Sequence, residues 1–151
     1  ICDPKLTGLH RTRGADAVIF ESRGLELMRR RLFKATAAEA AAELVEEHGW
    51  GALLVLGGQN GVDMYKQEGE HIHVDCTLPS PRQQIGLIDA AAVAVVVSQI
   101  LDLSDLDMVH LVNAACECIL QAEDVEHFAI DRRTLCTRLD EIAWSMQISQ
   151  R

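Results

Sequence analysis

The chain has 151 residues, 48% hydrophobic and 25% charged, enough for one cored domain and too few for two ordinary ones. A formal net charge of −9 excludes a surface built to grip nucleic-acid phosphates, which needs clustered Lys and Arg. No run reaches the ~18 apolar residues of a membrane-spanning helix, and Ala90 to Val97 is about half that length.

In chain order, Ile1 to Asp3 reads as the end of a strand already under way, so a longer parent protein is expected. Asp16 to Phe20 is a second short strand, β-branched at its centre. Arg29-Arg30-Arg31 with Lys34 reads as a solvated helix face. Thr36 N-caps an alanine-rich helix that runs through Glu47 and stops at His48-Gly49. Gly51 to Leu56 is a continuous apolar strand, the pattern of a parallel sheet covered on both faces.

Val62 to Lys66 and His71 to Cys76 flank the turn chemistry of Gln67-Glu68-Gly69-Glu70, so an antiparallel hairpin at the sheet edge is expected. His71 and His73 then share the solvent side of a strand, with no third metal ligand in view. Beyond Pro79 and Pro81 the pattern is helical: Asp89 to Leu101, Ser104 to Gln121 behind a Ser104 cap, and Asp131 to about Ser145. Trp50, Trp144, Met108 and Met146 suit packing. The expectation is a single α/β domain over residues 1–151.

Five cysteines, Cys2, Cys76, Cys116, Cys118 and Cys136, are odd in number and irregular in spacing, which suits reduced thiols in the cytoplasm. The lack of a signal peptide points the same way. On a helix Cys116 and Cys118 point about 200° apart, so they read as small buried hydrophobes and not as a zinc pair.

The stretch from Gly57 to Asp89 carries the chemistry. It holds a glycine turn, the hairpin, a proline-broken loop and then Gly86-Leu87-Ile88-Asp89 leading into a helix. Unpaired N–H groups and the helix dipole make such a helix start attractive to phosphate. A carboxylate beside that anion suits a proton acceptor for an incoming hydroxyl. As a helix cap alone, Asp89 would contribute about 0.3–1 kcal/mol without any catalysis.

Asp3-Pro4-Lys5, the strand ending near Ser22, the alanine-rich helix, Gly57-Gly58-Gln59-Asn60-Gly61, the hairpin, Gly86 to Asp89 and Asn113-Ala114-Ala115 together resemble the C-terminal half of a ribokinase-like (PfkB-family) carbohydrate kinase. Within that family the chain is most similar to the kinase domain of the bifunctional ADP-heptose synthesis protein. The resemblance implies a three-layer α/β fold with a largely parallel sheet, an antiparallel edge hairpin and helices on both faces, present only as the C-terminal half. It implies ATP with Mg2+ as cofactor, a sugar or sugar phosphate as acceptor held through the missing N-terminal half, and pairing with another domain or a second copy.

The resemblance also assigns roles. Asp89 is the base that deprotonates the sugar hydroxyl, while Gly58, Gly61 and Gly86 let nucleotide phosphates approach the backbone. Asn113 either touches base or ribose or bonds between helices. Departures from the pattern are specific. The Gly-Ala-Gly-Asp bend keeps only Gly86 and Asp89, with Leu87 and Ile88 between them. The Asn-x-x-Glu magnesium motif falls on Ser22 and Leu25, which leaves Glu26, one residue on, as the weak metal candidate. Leu56 replaces the threonine of the Thr-x-Gly-x-x-Gly motif. Two functions follow: an ATP-dependent sugar kinase, impaired or incomplete in this chain, or a non-catalytic pseudokinase-like module for nucleotide binding or dimerisation.

Overall fold

The computed structural model describes residues 8–78, 80, 82, 84–122 and 130–149, with side chains in the last helix described to residue 143. The expected strand at Ile1 to Asp3, Cys2, Gln83, His127 and the side chains of Trp144 and Met146 lie outside the described residues. The chain forms two compact units, one of Ile1–Gly57 with Val62–His73 and the other of Gly58–Gly61 with Val74–Arg151.

The first unit contains strands β1 (Val18–Glu21) and β2 (Leu53–Leu56), which run parallel with Val18 opposite Leu53 and Phe20 opposite Val55. Strand β3 (Val62–Tyr65) returns antiparallel to β2, with Leu53 opposite Tyr65 and Leu56 opposite Val62. Strand β4 (His71–Val74) follows a tight turn and completes the order β1-β2-β3-β4 at the sheet edge. The mixed sheet of the sequence expectation is therefore present, with each strand a residue or two shorter than its apolar pattern.

Two helices accompany these strands. α1 (Ser22–Arg31) was legible only in its basic last turn. It buries Leu25 and Met28, one turn apart, and exposes Arg30 and Arg31. α2 (Ala37–His48) follows the sequence pattern closely. Thr36 accepts from the Glu39 amide at 3.1 Å while the Glu39 carboxylate accepts from the Thr36 amide, a reciprocal cap, and Gly49 ends the helix in the left-handed region at φ 63°.

One core joins Val18, Phe20, Leu25, Leu44, Val45 and Trp50, and the alternate strand residues Ile19, Leu54, Val62 and Met64 are also at most 1% exposed. The Trp50 indole meets the Phe20 ring edge-on at 6.1 Å and donates to Thr12, so this buried aromatic leaves no polar atom unpaired.

The second unit is helical: α3 (Leu87–Ile100) starts two residues before the sequence pattern, α4 (Asp105–Gln121) follows it behind its Ser104 cap, and α5 (Arg132–Ser149) runs four residues beyond it. Ser104 caps α4 by accepting from the Asp107 amide, and Asp131 caps α5 by accepting from the Thr134 amide at 2.7 Å. α3 carries a single charge, Asp89, and its start is set by Gly86 at φ 86°.

Candidate functional site

The sequence places its chemistry at the start of α3, and the structure builds a groove there. Gly86 and Asp89 stand at one end of an apolar groove of about 320 Å3 in the second unit. Ala90, Val93, Ala94 and Val97 of α3 form one wall and Leu111, Ala115 and Ile119 of α4 the other. Asp131, Arg132 and Leu135, at the start of α5, close it. Alanines at 90, 94 and 115 contribute only small apolar side chains to its lining.

The bend itself follows from local geometry. A positive φ at Gly86 turns the chain into α3, and the Leu87 amide donates back to Gln84 O at 3.3 Å. Leu87 is 4% exposed, so it anchors the helix in the interior and takes no part in a phosphate cradle. The first helical bond in α3 is Ala90 N to Gly86 O. The amides of Ile88 and Asp89 therefore remain as donors at the helix start, and Asp89 is exposed.

Gly58 and Gly61 both have positive φ, 59° and 80°. A Cβ on Gly58 would meet only the Gln84 amide group at 3.6 Å, so the glycine turn lies beside the segment that leads to Gly86. At Gly61 a Cβ would overlap Val74 O and stand 2.8 Å from Cys76 N. The bare α-carbon there is taken up by the close approach of two stretches of backbone.

Asn113 is 1% exposed, and its amide donates to Asp75 O at 3.2 Å and to Glu117 at 3.3 Å. Its donors thus bond inside the unit.

Sequence reasoning missed the centre of that interior. Glu117 is completely buried and accepts from Thr77 N at 2.6 Å, Thr77 Oγ1 at 3.1 Å and Arg138 Nε at 2.6 Å. Arg138 also donates to Thr77 Oγ1 and to Glu141. The network ties the segment after β4 to α4 and α5. The only sequence hint was a glutamate between two buried cysteines. Burial pushes the thiols of Cys116 and Cys118 up to about 12 and about 11, so both are protonated, unreactive groups.

The residues matching the magnesium motif do not fit a metal. Leu25 is a core side chain. Glu26 is gripped by Arg29 at 2.7 Å through both oxygens and by Arg30 at 2.9 Å, which holds its pKa down at about 2. A cation there would have to displace two guanidinium groups. Among the described residues no group of three or more His, Cys, Asp or Glu is arranged to hold a metal ion. No described helix is long and apolar enough to cross a membrane.

No protein-family model matches the sequence, and no curated protein matches it. Solved structures do. Ribokinase from Thermotoga maritima superposes with a TM-score of 0.72 at 17% identity, over 83% of this chain and 42% of that one. Phosphofructokinase-2 from Escherichia coli, in complex with substrates and products, gives 0.75 at 15% identity over 91% and 44%. A putative ribokinase II from E. coli in complex with ATP and Mg2+ gives 0.69 at 17% identity over 83% and 39%. The chain thus spans less than half the length of the structures it matches, and over that span its fold is ribokinase-like.

Proposed function

We propose that this chain is a nucleotide-binding portion of a ribokinase-like sugar kinase, with an adenine nucleotide in the groove between α3, α4 and α5. The observation that carries the reading is the groove itself, apolar and lined by a left-handed glycine and by a helix start whose Ile88 and Asp89 amides have no partner among the described residues. The base packs between Ala90, Ala94 and Ala115, Arg132 meets negative charge, and the phosphates reach the amides of Ile88 and Asp89. ATP with Mg2+ in one matched enzyme is consistent with this assignment.

In a longer chain that supplies a sugar or sugar phosphate, Asp89 would accept the proton of the attacking hydroxyl. Of specific acceptors, the heptose phosphate of ADP-heptose synthesis is the one the sequence resemblance favours. A non-catalytic, pseudokinase-like role has its own support. Leu87 and Ile88 occupy the bend where the family places small residues, and Glu26 is committed to Arg29 and Arg30. Phosphoryl transfer depends on positioning and charge neutralisation, so both changes lower turnover more than nucleotide binding.

Titration with ATP followed by amide NMR tests the site, and Ala94→Trp, which fills the groove, is expected to abolish saturation. Saturation unchanged in that variant would place the nucleotide elsewhere. A turnover assay of the longer protein against its Asp89→Asn variant separates the two roles: loss of turnover supports the kinase, and no turnover in either supports the module.

A further inference from the structure

α3 is apolar on both of its faces, yet only one of them is packed. Leu87, Ala91, Ala94, Val95 and Ser98 are buried, and the helix packs against α4. On the other side Val93, Val96, Val97 and Ile100 are exposed, Val93 to 63% and Ile100 to 76%. With 3.6 residues per turn these four fall in one stripe about 100° wide, turned roughly 150° away from the buried set. Leu101, just past the last turn, is exposed as well. From Ala90 to Leu101 the chain carries no charge.

Such a stripe is out of place against water. Solvent-facing helix positions favour Lys, Glu and Gln, which keep their side-chain freedom in a helix, whereas Val and Ile lose it and are poorer helix formers. A helix that is apolar all round is normally buried all round.

We infer that the outer stripe of α3 binds a second copy of this chain, with the two α3 helices packed antiparallel about a two-fold axis. Three observations select that occupant. The exposed positions step by 3, 1 and 3 residues, a spacing that reads the same in either direction. An antiparallel pair therefore sets Val93 over the partner's Ile100 and Val96 over the partner's Val97, and each side chain meets another of similar size. The stripe between Asp89 and Asp102 holds no charge, so it is complementary to itself and offers nothing for a charged partner to pair with. The area suffices too: with Leu101 the stripe exposes on the order of 500 Å2 per chain, and two such faces reach the ~1,000 Å2 at which a specific interface begins. A net charge of −9 on each copy opposes the approach, so salt, which screens that repulsion, tightens the pair.

Sedimentation equilibrium of the chain from about 5 to about 500 μM, at low and at high NaCl, tests the pairing. A monomer–dimer equilibrium with Kd on the order of 10 μM is expected, tighter by severalfold at high salt. Val96→Gln and Ile100→Lys change exposed side chains that do not line the nucleotide groove. Each should weaken association by at least about tenfold with the far-UV circular dichroism unchanged. Phe33→Ser, at a position 94% exposed in the first unit, should leave association as it was. ATP binding should persist in all three variants, so loss of the dimer and loss of the nucleotide site are told apart. A chain still monomeric at about 500 μM would overturn the proposal and leave the stripe to a different polypeptide, such as the remaining part of a longer ribokinase-like fold. Association that survives both α3 substitutions, or that weakens as salt rises, would overturn it as well by placing the interface elsewhere.

Discussion

Replacing Arg138 by alanine strips Glu117 of its cation. The carboxylate is completely buried and would keep Thr77 N, Thr77 Oγ1, the Cys76 thiol and the longer contact from Asn113 as donors, none of them charged. Breaking a buried ion pair from one side costs about 3–5 kcal/mol, because the surviving charge remains out of water. At about 2–4 °C per kcal/mol for a chain of this size, Tm should fall by roughly 6–20 °C. Urea and thermal unfolding followed by circular dichroism measure it. The double variant Arg138→Met with Glu117→Gln removes both charges and should recover more than half of the loss, since desolvation is relieved along with attraction. A single-variant loss below about 1 kcal/mol, or a double variant no more stable than the single, would refute the reasoning.

Gly61→Ala should cost at least about 2 kcal/mol in urea unfolding, because strain at φ 80° is joined by overlap with Val74 O. Gly14→Ala, at φ 69° with open space around it, should cost only about 1 kcal/mol. Thr36→Ala removes the reciprocal cap of α2 and should cost about 1 kcal/mol by the same measurement. Thiol labelling should take exposed Cys136 first, with buried Cys116, whose thiol burial pushes up to about 12, reacting far more slowly. The same shifts set a pH dependence. Unfolded thiols ionise near 9 while Cys116 and Cys118 stay protonated to about 12 and about 11, so stability is intact below pH 9 and falls as pH climbs through that window.

How far the sequence could be followed differs from element to element. α2 was legible to its ends because Thr36 and Gly49 are local signals acting over a few residues. The strands were legible because Leu53 to Leu56 is apolar on both faces, and both faces are buried. α1 was obscure, since only Leu25 and Met28 of its ten residues are buried and its charges dominate the pattern.

The site divides in the same way. Gly86 and Asp89 could be picked out because a bend and a helix start are local, while the groove walls came together only through packing of α3, α4 and α5. Glu117 meets Thr77 across 40 positions and Arg138 across 21, and no local spacing carries such a pairing. Positive φ at Gly61 suits a glycine turn, but its use for backbone packing is visible only where Val74 comes alongside.

The most direct measurement is an amide NMR titration of the chain with ATP, with and without Mg2+. Binding in the groove should give saturable shifts at Gly86, Asp89, Ala90, Ala94, Ala115 and Leu135, with Asp89→Asn still binding. Shifts absent at about 10 mM ATP, or confined to residues outside the groove walls, would contradict the assignment of this surface to a nucleotide.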